Sequence, residues 1–387
     1  MFLEHVSSDL VLFFSLYGVT GIVPLIAALY LLFRRGNAIA PGVTPPMRLR
    51  RWAASFFAVT VLSHVWWILF FFYSADPNSW STLLLSILDC VLLFTTFAGT
   101  LLAMLQDRRR QVWPAMVAMI PFLALGGALM AFPDSLLEQI IAAYLLLLVL
   151  LFTAYMVYAI RQYGRWLNDN YSDLENKEVW LCQAVSLVCM LMFVLYVFAD
   201  NMLLIWLIHI IELVLVVLLL WRVETLPRLS PFPLPVRERN EYSQDNNATE
   251  KPSTPLPHRE EQEDGSAMSG SIDLAQIEQL LAEHCVAPQL YLQHDLTLQQ
   301  LAQTIGTNRY YLSQYFSRNS ITYNTYINNL RINHFIRLYD KAVAAGQPVG
   351  AQQLAQESGF RSYSTFGRAF MQRTGQSVTA WMRGTAE

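Results

Sequence analysis

LQQLAQTIGTNRYYLSQYF (Leu298–Phe316) and AQQLAQESGFRSYSTFGRAF (Ala351–Phe370) are two copies of one unit. Gln299–Gly306 aligns with Gln352–Gly359 at an offset of 53; after one inserted turn residue, Leu312 and Phe316 align with Phe366 and Phe370 at 54. In the first copy Leu301, Ala302 and Ile305 form an apolar stripe at helical spacing, echoed by Leu354 and Ala355 in the second. Gly306 and Gly359 stand where a helix ends in a left-handed turn. Thr307-Asn308 and Arg361-Ser362 then offer caps for a second helix. That helix turns Leu312 and Phe316, or Phe366 and Phe370, to the core. Each copy therefore predicts a helix, a turn and a helix.

Between the copies, YNTYINNLRINHFIRLYDKAVA (Tyr323–Ala344) predicts one continuous helix, with Tyr326, Ile327, Leu330, Ile332 and His334-Phe335 as apolar contacts and Arg331 and Arg337 exposed or pairing. At 1.5 Å per residue it is about 30 Å long, close to the ~34 Å between major-groove openings on one side of B-DNA. Gly306–Arg383 holds nine Lys and Arg against two acids, while Ser271–Ile305 holds four acids and no Lys or Arg. A local excess of +7 is the electrostatic footprint of a polyanion binder, hidden by the whole-chain net charge of −3.

The C-terminal 115 or so residues resemble the AraC/XylS family of transcription regulators. The plan of an opening helix (Ile272–His284), a helix-turn-helix, a linking helix, a second helix-turn-helix and a closing helix near Ser377–Met382 is similar to that family's seven-helix domain. Gly359-Phe360, followed by Phe366, Phe370, Gly375 and Ser377, resembles its signature. Asn319-Ser320 replaces the usual glycine after the first recognition helix, Val378 replaces a usual proline, and the connection Ala344–Pro348 is longer. The resemblance implies double-stranded DNA as partner, with Tyr310, Ser313 and Gln314 of the first unit and Tyr363, Ser364 and Arg368 of the second facing bases. It places Asn308, Arg309, Arg318, Arg361, Thr365 and Arg373 toward phosphates. Arg368 is the leading candidate for guanine readout, since a guanidinium pairs bidentately with that base. A homodimer and contact with RNA polymerase are further partners the resemblance leaves open.

Outward from this domain, Val223–Gly270 is polar, proline-rich and acidic, with nine acids against five bases, and predicts a disordered tether. The rest of the chain has another character. Hydrophobic residues make up 54% of the sequence and charged residues 14%, against roughly 25% charged in a soluble domain. Seven apolar runs reach or approach the length of a bilayer crossing: Leu10–Phe33, Trp52–Tyr73, Thr82–Leu105, Val112–Phe132, Gln139–Ile160, Trp180–Ala199 and Leu203–Trp221. The first lacks the basic flank and small-residue site of a cleavable signal. Arg34, Arg35, Arg48, Arg50, Arg51, Arg108–Arg110, Arg161, Arg165 and Lys177 put 11 positive charges in one set of loops and none in the alternate set. The expected topology is N-terminus outside and C-terminus in the cytoplasm of a bacterial inner membrane. The outward loops are too short for a sensor domain, so a signal must enter the bundle, the lipid or a membrane partner.

Inside the runs lie His64, Asp89, His209 and Glu212. Burial in lipid makes them candidates for ligand or proton sensing, with interhelical hydrogen bonding an equal alternative. Spacing gives no reason to join His64 to His209 around a metal. No lysine lies in a run, which excludes a retinal Schiff base. Cys90, Cys182, Cys189 and Cys285 are too scattered for a zinc site or disulfide framework. Neither a paired catalytic constellation nor a phosphate loop is legible, so no enzyme, cofactor or metal is expected. The sequence thus predicts an all-α chain in three parts: a seven-span bundle (1–222), a tether (223–270) and a tandem helix-turn-helix domain (271–387). Its expected function is transcription control from the membrane. A transporter or receptor with a protein-binding tail is the alternative.

Overall fold

Apolar side chains on all sides of a helix leave it no aqueous face, and the N-terminal helices have this composition. The computed structural model describes residues 8–34, 36–73, 80–174, 177, 179, 180, 202–229, 274–346 and 350–386, with five positions between 182 and 188. It divides into two compact units: 1–164 with 176–229, and 165–175 with 230–387. The described residues form no strand beyond a lone bridge between Tyr171 and Thr297.

In the first unit the helices are α1 (Ser8–Phe33), α2 (Met47–Tyr73), α3 (Trp80–Met104), α4 (Trp113–Val117), α5 (Ile120–Ala131), α7 (Met202–Thr225) and α6 (Ser135–Asn170), the last as far as Gly164, its remaining residues belonging to the second unit. α2 packs between α1 and α3, and α7 packs on α1 and α2. Gly99 of α3 makes room for the Trp52 ring of α2, which a Cβ would overlap. Large hydrophobics such as Ile22, Ile26, Leu147 and Leu151 point outward. Among the described residues, six helical segments are long and apolar enough to cross a membrane. The expected run Trp180–Ala199 lies largely outside the described residues.

Two details differ from the sequence reading. The run Val112–Phe132 is broken at Ala118-Met119 into α4 and α5, because Pro121 carries no N–H to continue the helical ladder. Residues 223–229, expected in the tether, belong to the first compact unit. α7 continues to Thr225, Glu224 and Leu226 are buried, and the Leu229 N–H donates to Gln106 Oε1 at 2.8 Å. Glu224 explains the extension, since its carboxylate accepts from the Tyr30 hydroxyl at 2.7 Å. Several of the loop cations are bonded within the protein as well. Arg50 Nε donates to the Leu31 carbonyl at 2.6 Å, and Arg110 pairs with Asp107 at 2.8 Å.

The second unit contains α8 (Leu274–Leu281), α9 (Leu298–Thr304), α10 (Arg309–Arg318), α11 (Tyr323–Ala344), α12 (Ala351–Glu357), α13 (Tyr363–Thr374) and α14 (Val378–Ala386). α8 is shorter than expected and passes into a wider turn, Ala282–Val286. α11 has the bounds its sequence predicts, capped by the Thr322 hydroxyl accepting from the Thr325 N–H. Its first half lends Tyr323 and Ile327 to a core with Leu301, Ala302, Leu312 and Phe316. Its second half lends Ile332, Phe335 and Tyr339 to another, with Leu354, Ala355, Phe366 and Phe370. One helix is thus built into both cores.

Candidate nucleic-acid interface

The first helix pair is locked at both starts. Thr297 and Gln300 form a reciprocal capping box on α9, and Asn308 Oδ1 accepts from the Tyr311 N–H at 3.0 Å to start α10. Between them Gly306 adopts φ +74°. With Leu312 and Phe316 buried, the opposite side of α10 is presented outward. Tyr310 is 64% exposed and its hydroxyl accepts from Gln314 Nε2 at 2.6 Å, while Ser313 is exposed beside them. Asn308, Arg309, Tyr310 and Ser313 line an open groove of about 490 Å³ together with Gln299, a residue the sequence did not single out.

The second pair repeats this arrangement. The Ser362 hydroxyl caps α13 by accepting from the Thr365 N–H at 3.3 Å. Phe366 and Phe370 are fully buried, which leaves Tyr363, Ser364 and Arg368 on the exposed side. Gly359 sits at φ +88°, and a Cβ there would lie 2.8 Å from the Leu292 backbone. The structure therefore brings each set of three expected base-facing residues onto one outward helix face.

The residues expected at phosphates divide by their present bonds. Arg318 is exposed near the end of α10. Arg361 pairs with Asp295 at 3.2 Å on the surface. Arg373 reaches the Asn329 carbonyl at 2.6 Å and Asn333 Oδ1 at 2.5 Å, tying α13 to α11. Asn308 and Thr365 both take part in helix starts.

Arg331 departs most from expectation. It is 2% exposed, and its guanidinium donates to the carbonyls of Tyr291 at 2.7 Å and Gln293 at 2.9 Å. It also lies over the Phe360 ring, 5.7 Å from the centroid, so it joins the two halves of the unit. Burial pulls its pKa below the ordinary arginine value. The clue in the sequence was its place between Ile327 and Phe335, four residues from each on the buried stripe of α11.

Residues 165–175 also belong to this unit. The Ser172 N–H donates to the Leu296 carbonyl at 3.2 Å, beside the Tyr171–Thr297 bridge. Asn324 Nδ2 donates to the carbonyls of Tyr171 at 3.1 Å and Ser172 at 3.0 Å. Nothing in the sequence signalled this docking, because what Tyr171 and Ser172 offer to Leu296 and Asn324 are backbone groups that carry no residue-type signature.

With this geometry in view, a family model described as a helix-turn-helix domain matches residues 301–384. Those residues are similar to a helix-turn-helix domain, and two helix-turn-helix pairs lie within or across their bounds. The match supports the AraC/XylS resemblance over the C-terminal part of the chain. No curated protein and no solved structure matches the chain. Similarity to such a domain suggests DNA binding of the kind transcription regulators use, and among the described residues the same chain has six helices long and apolar enough to cross a membrane.

Within the first unit, the four ionisable residues of the apolar runs fall into two groups. Asp89 accepts from Ser63 Oγ at 2.8 Å and Trp66 Nε1 at 3.2 Å. His64, His209 and Glu212 converge, each offering a ligand atom within 4.8 Å of the others. Sequence spacing did not join His64 to His209. Packing of α2 on α7 does.

Proposed function

We propose that this chain is a membrane-embedded, sequence-specific DNA-binding regulator that couples a signal at the membrane to promoter occupancy. The observation that carries the reading is the pair of outward faces on α10 and α13, each backed by its own core and both anchored on α11. In this reading Tyr310, Ser313, Gln314, Tyr363, Ser364 and Arg368 meet base edges in successive major grooves. Arg309 and Arg318 neutralise phosphates. Arg361, Thr365, Arg373 and Asn308 join them where their present bonds allow.

The coupling has a physical route in the chain. Residues 165–175, held by Asn324 and by the Ser172–Leu296 bond, lie in sequence between two apolar runs. A shift in the bundle would thus act on the domain through that segment as well as through the tether. The charge asymmetry of the loops supports an orientation with this domain on the chromosome's side of a bacterial inner membrane.

The test is selection of binding sites from random duplex DNA by the full-length protein in lipid discs, followed by footprinting. Two protected boxes about one helical turn apart are expected. Arg368→Ala should cost about 1–3 kcal/mol and relax base preference in one box only. Absence of sequence-selective protection would discard this function in favour of a tail that binds proteins.

A further inference from the structure

The polar cluster between α1, α2 and α7 is unused by DNA reading, and its hydrogen bonding orients the His64 ring. His64 Nδ1 lies 2.8 Å from the Thr60 carbonyl. Only an N–H can face a carbonyl oxygen at that distance, so Nδ1 carries a proton, and in the neutral imidazole Nε2 then presents its lone pair. That lone pair faces oxygens: Thr20 Oγ1 at 3.1 Å and Glu212 Oε1 at 3.8 Å. The single Thr20 hydroxyl proton has an acceptor in the Tyr17 carbonyl at 2.9 Å. A nitrogen lone pair, a hydroxyl oxygen and a carboxylate turned toward one point form a place that attracts a cation. A ring nitrogen of His209 completes a set of three donors within 4.8 Å of one another.

We propose that His64, His209 and Glu212 form a binding site for a divalent transition-metal ion of the zinc class, the chemical input to the regulator proposed above. Two imidazoles and one carboxylate match the donor set of open zinc sites, which keep a further position for water. Imidazole donors favour zinc, copper and nickel over magnesium and calcium. The Nδ1–H to carbonyl bond of His64 is the outer contact that orients ligating histidines and raises their basicity.

Metal–ligand bonds of about 2.0–2.2 Å require the donors to close in on the ion. They come from α2 and α7, so closure draws those helices together. α7 is the helix that precedes the tether and the DNA-reading domain in the chain. His64 lies nine residues before the end of α2, and His209 seven after the start of α7. At 1.5 Å per residue both sit about 10–14 Å from helix ends that the charge pattern turns outward. The source of the ion is therefore the extracytoplasmic side.

The experiment uses full-length protein without a histidine tag, stripped with chelator and reconstituted in lipid discs. Titration with cobalt(II) should give visible ligand-field bands at one ion per chain, displaced by zinc. His64→Ala, His209→Ala and the near-isosteric Glu212→Gln should each weaken binding at least about 100-fold, by analogy with the losses seen when even outer contacts of metal sites are removed. Asp89→Asn, outside the set, should leave the bands intact. Monodispersity and melting temperature of each variant separate loss of a ligand from loss of fold. If no cobalt binds, or if well-folded His64→Ala and Glu212→Gln bind as the parent does, the site is overturned and the cluster is a proton-sharing pair. Footprints on the same preparations keep the two readings apart: cobalt binding without DNA protection would sink the regulator and leave this site standing.

Discussion

Gly359→Ala and Gly306→Ala form a matched pair in which only one member meets an obstacle. Both glycines have positive φ, +88° and +74°. A side chain in that region costs roughly 1–2 kcal/mol, partly offset by the lower entropy of an unfolded alanine chain, about 0.4–1 kcal/mol. Gly306→Ala meets nothing within 4 Å, so its cost should stay near 1 kcal/mol. At Gly359 the new Cβ would lie 2.8 Å from both Cα and O of Leu292, against the 3.4 Å at which ordinary contact begins. The backbone must move about 0.6 Å to restore that contact, and overpacking of this kind adds about 1–3 kcal/mol. Gly359→Ala should therefore cost about 2–4 kcal/mol in all. Hydrogen exchange on the full-length protein reads the difference locally. Amides of α12 and α13 should exchange roughly 30- to 700-fold faster in Gly359→Ala, while α9 and α10 in Gly306→Ala change by a factor of about ten or less. Equal acceleration in the two variants would refute the steric argument, and with it the close seating of the second turn on Leu292.

Arg331→Met keeps the apolar stem but leaves the Tyr291 and Gln293 carbonyls without their donor; about 2–4 kcal/mol should be lost from the C-terminal unit, read by the exchange of α11 amides. Arg318→Ala should lower the slope of log affinity against log salt by about one at every DNA sequence; an unchanged slope would remove Arg318 from the phosphate contacts. His334 is held below its ordinary value of 6.5 by burial and then by Arg337 and Lys341, and its Nδ1 accepts from the Tyr291 hydroxyl at 3.1 Å. The unfolded chain thus binds this proton first, so stability is lost as pH falls from about 6.5 toward the depressed folded value. His334→Gln should flatten that part of a stability–pH curve; identical curves would reject the assignment.

The sequence carried some parts of this molecule openly and hid others for physical reasons. α11 was legible from end to end because Thr322 caps it and its apolar residues keep helical spacing over six turns. The exposed faces of α10 and α13 were legible because each is the complement of a Leu/Phe or Phe/Phe stripe. Arg331 was misread as exposed or pairing because residue type was weighed above position, although its neighbours at four residues on either side are core. The break between α4 and α5 was written in Pro121 but outweighed by an unbroken apolar composition. The docking of residues 165–175 was beyond reach, since a Ser172 N–H and a Tyr171 carbonyl look the same as any others. His64, His209 and Glu212 were each picked out by polarity, yet their convergence depends on how α2 packs against α7. No spacing along one chain encodes that.

Because α11 is a structural member of both cores, with Arg331 pinned across the junction, the two outward helix faces would, under the proposed function, behave as the fixed jaws of a caliper. What each jaw touches can change through a few surface substitutions, but the gap cannot. A promoter that gains half a helical turn between its boxes turns one box away from the protein. A whole added turn restores the facing but moves that box out of reach, where a chain with a loose hinge would still bind. Selection on such promoters should therefore tolerate altered letters far better than inserted or deleted ones.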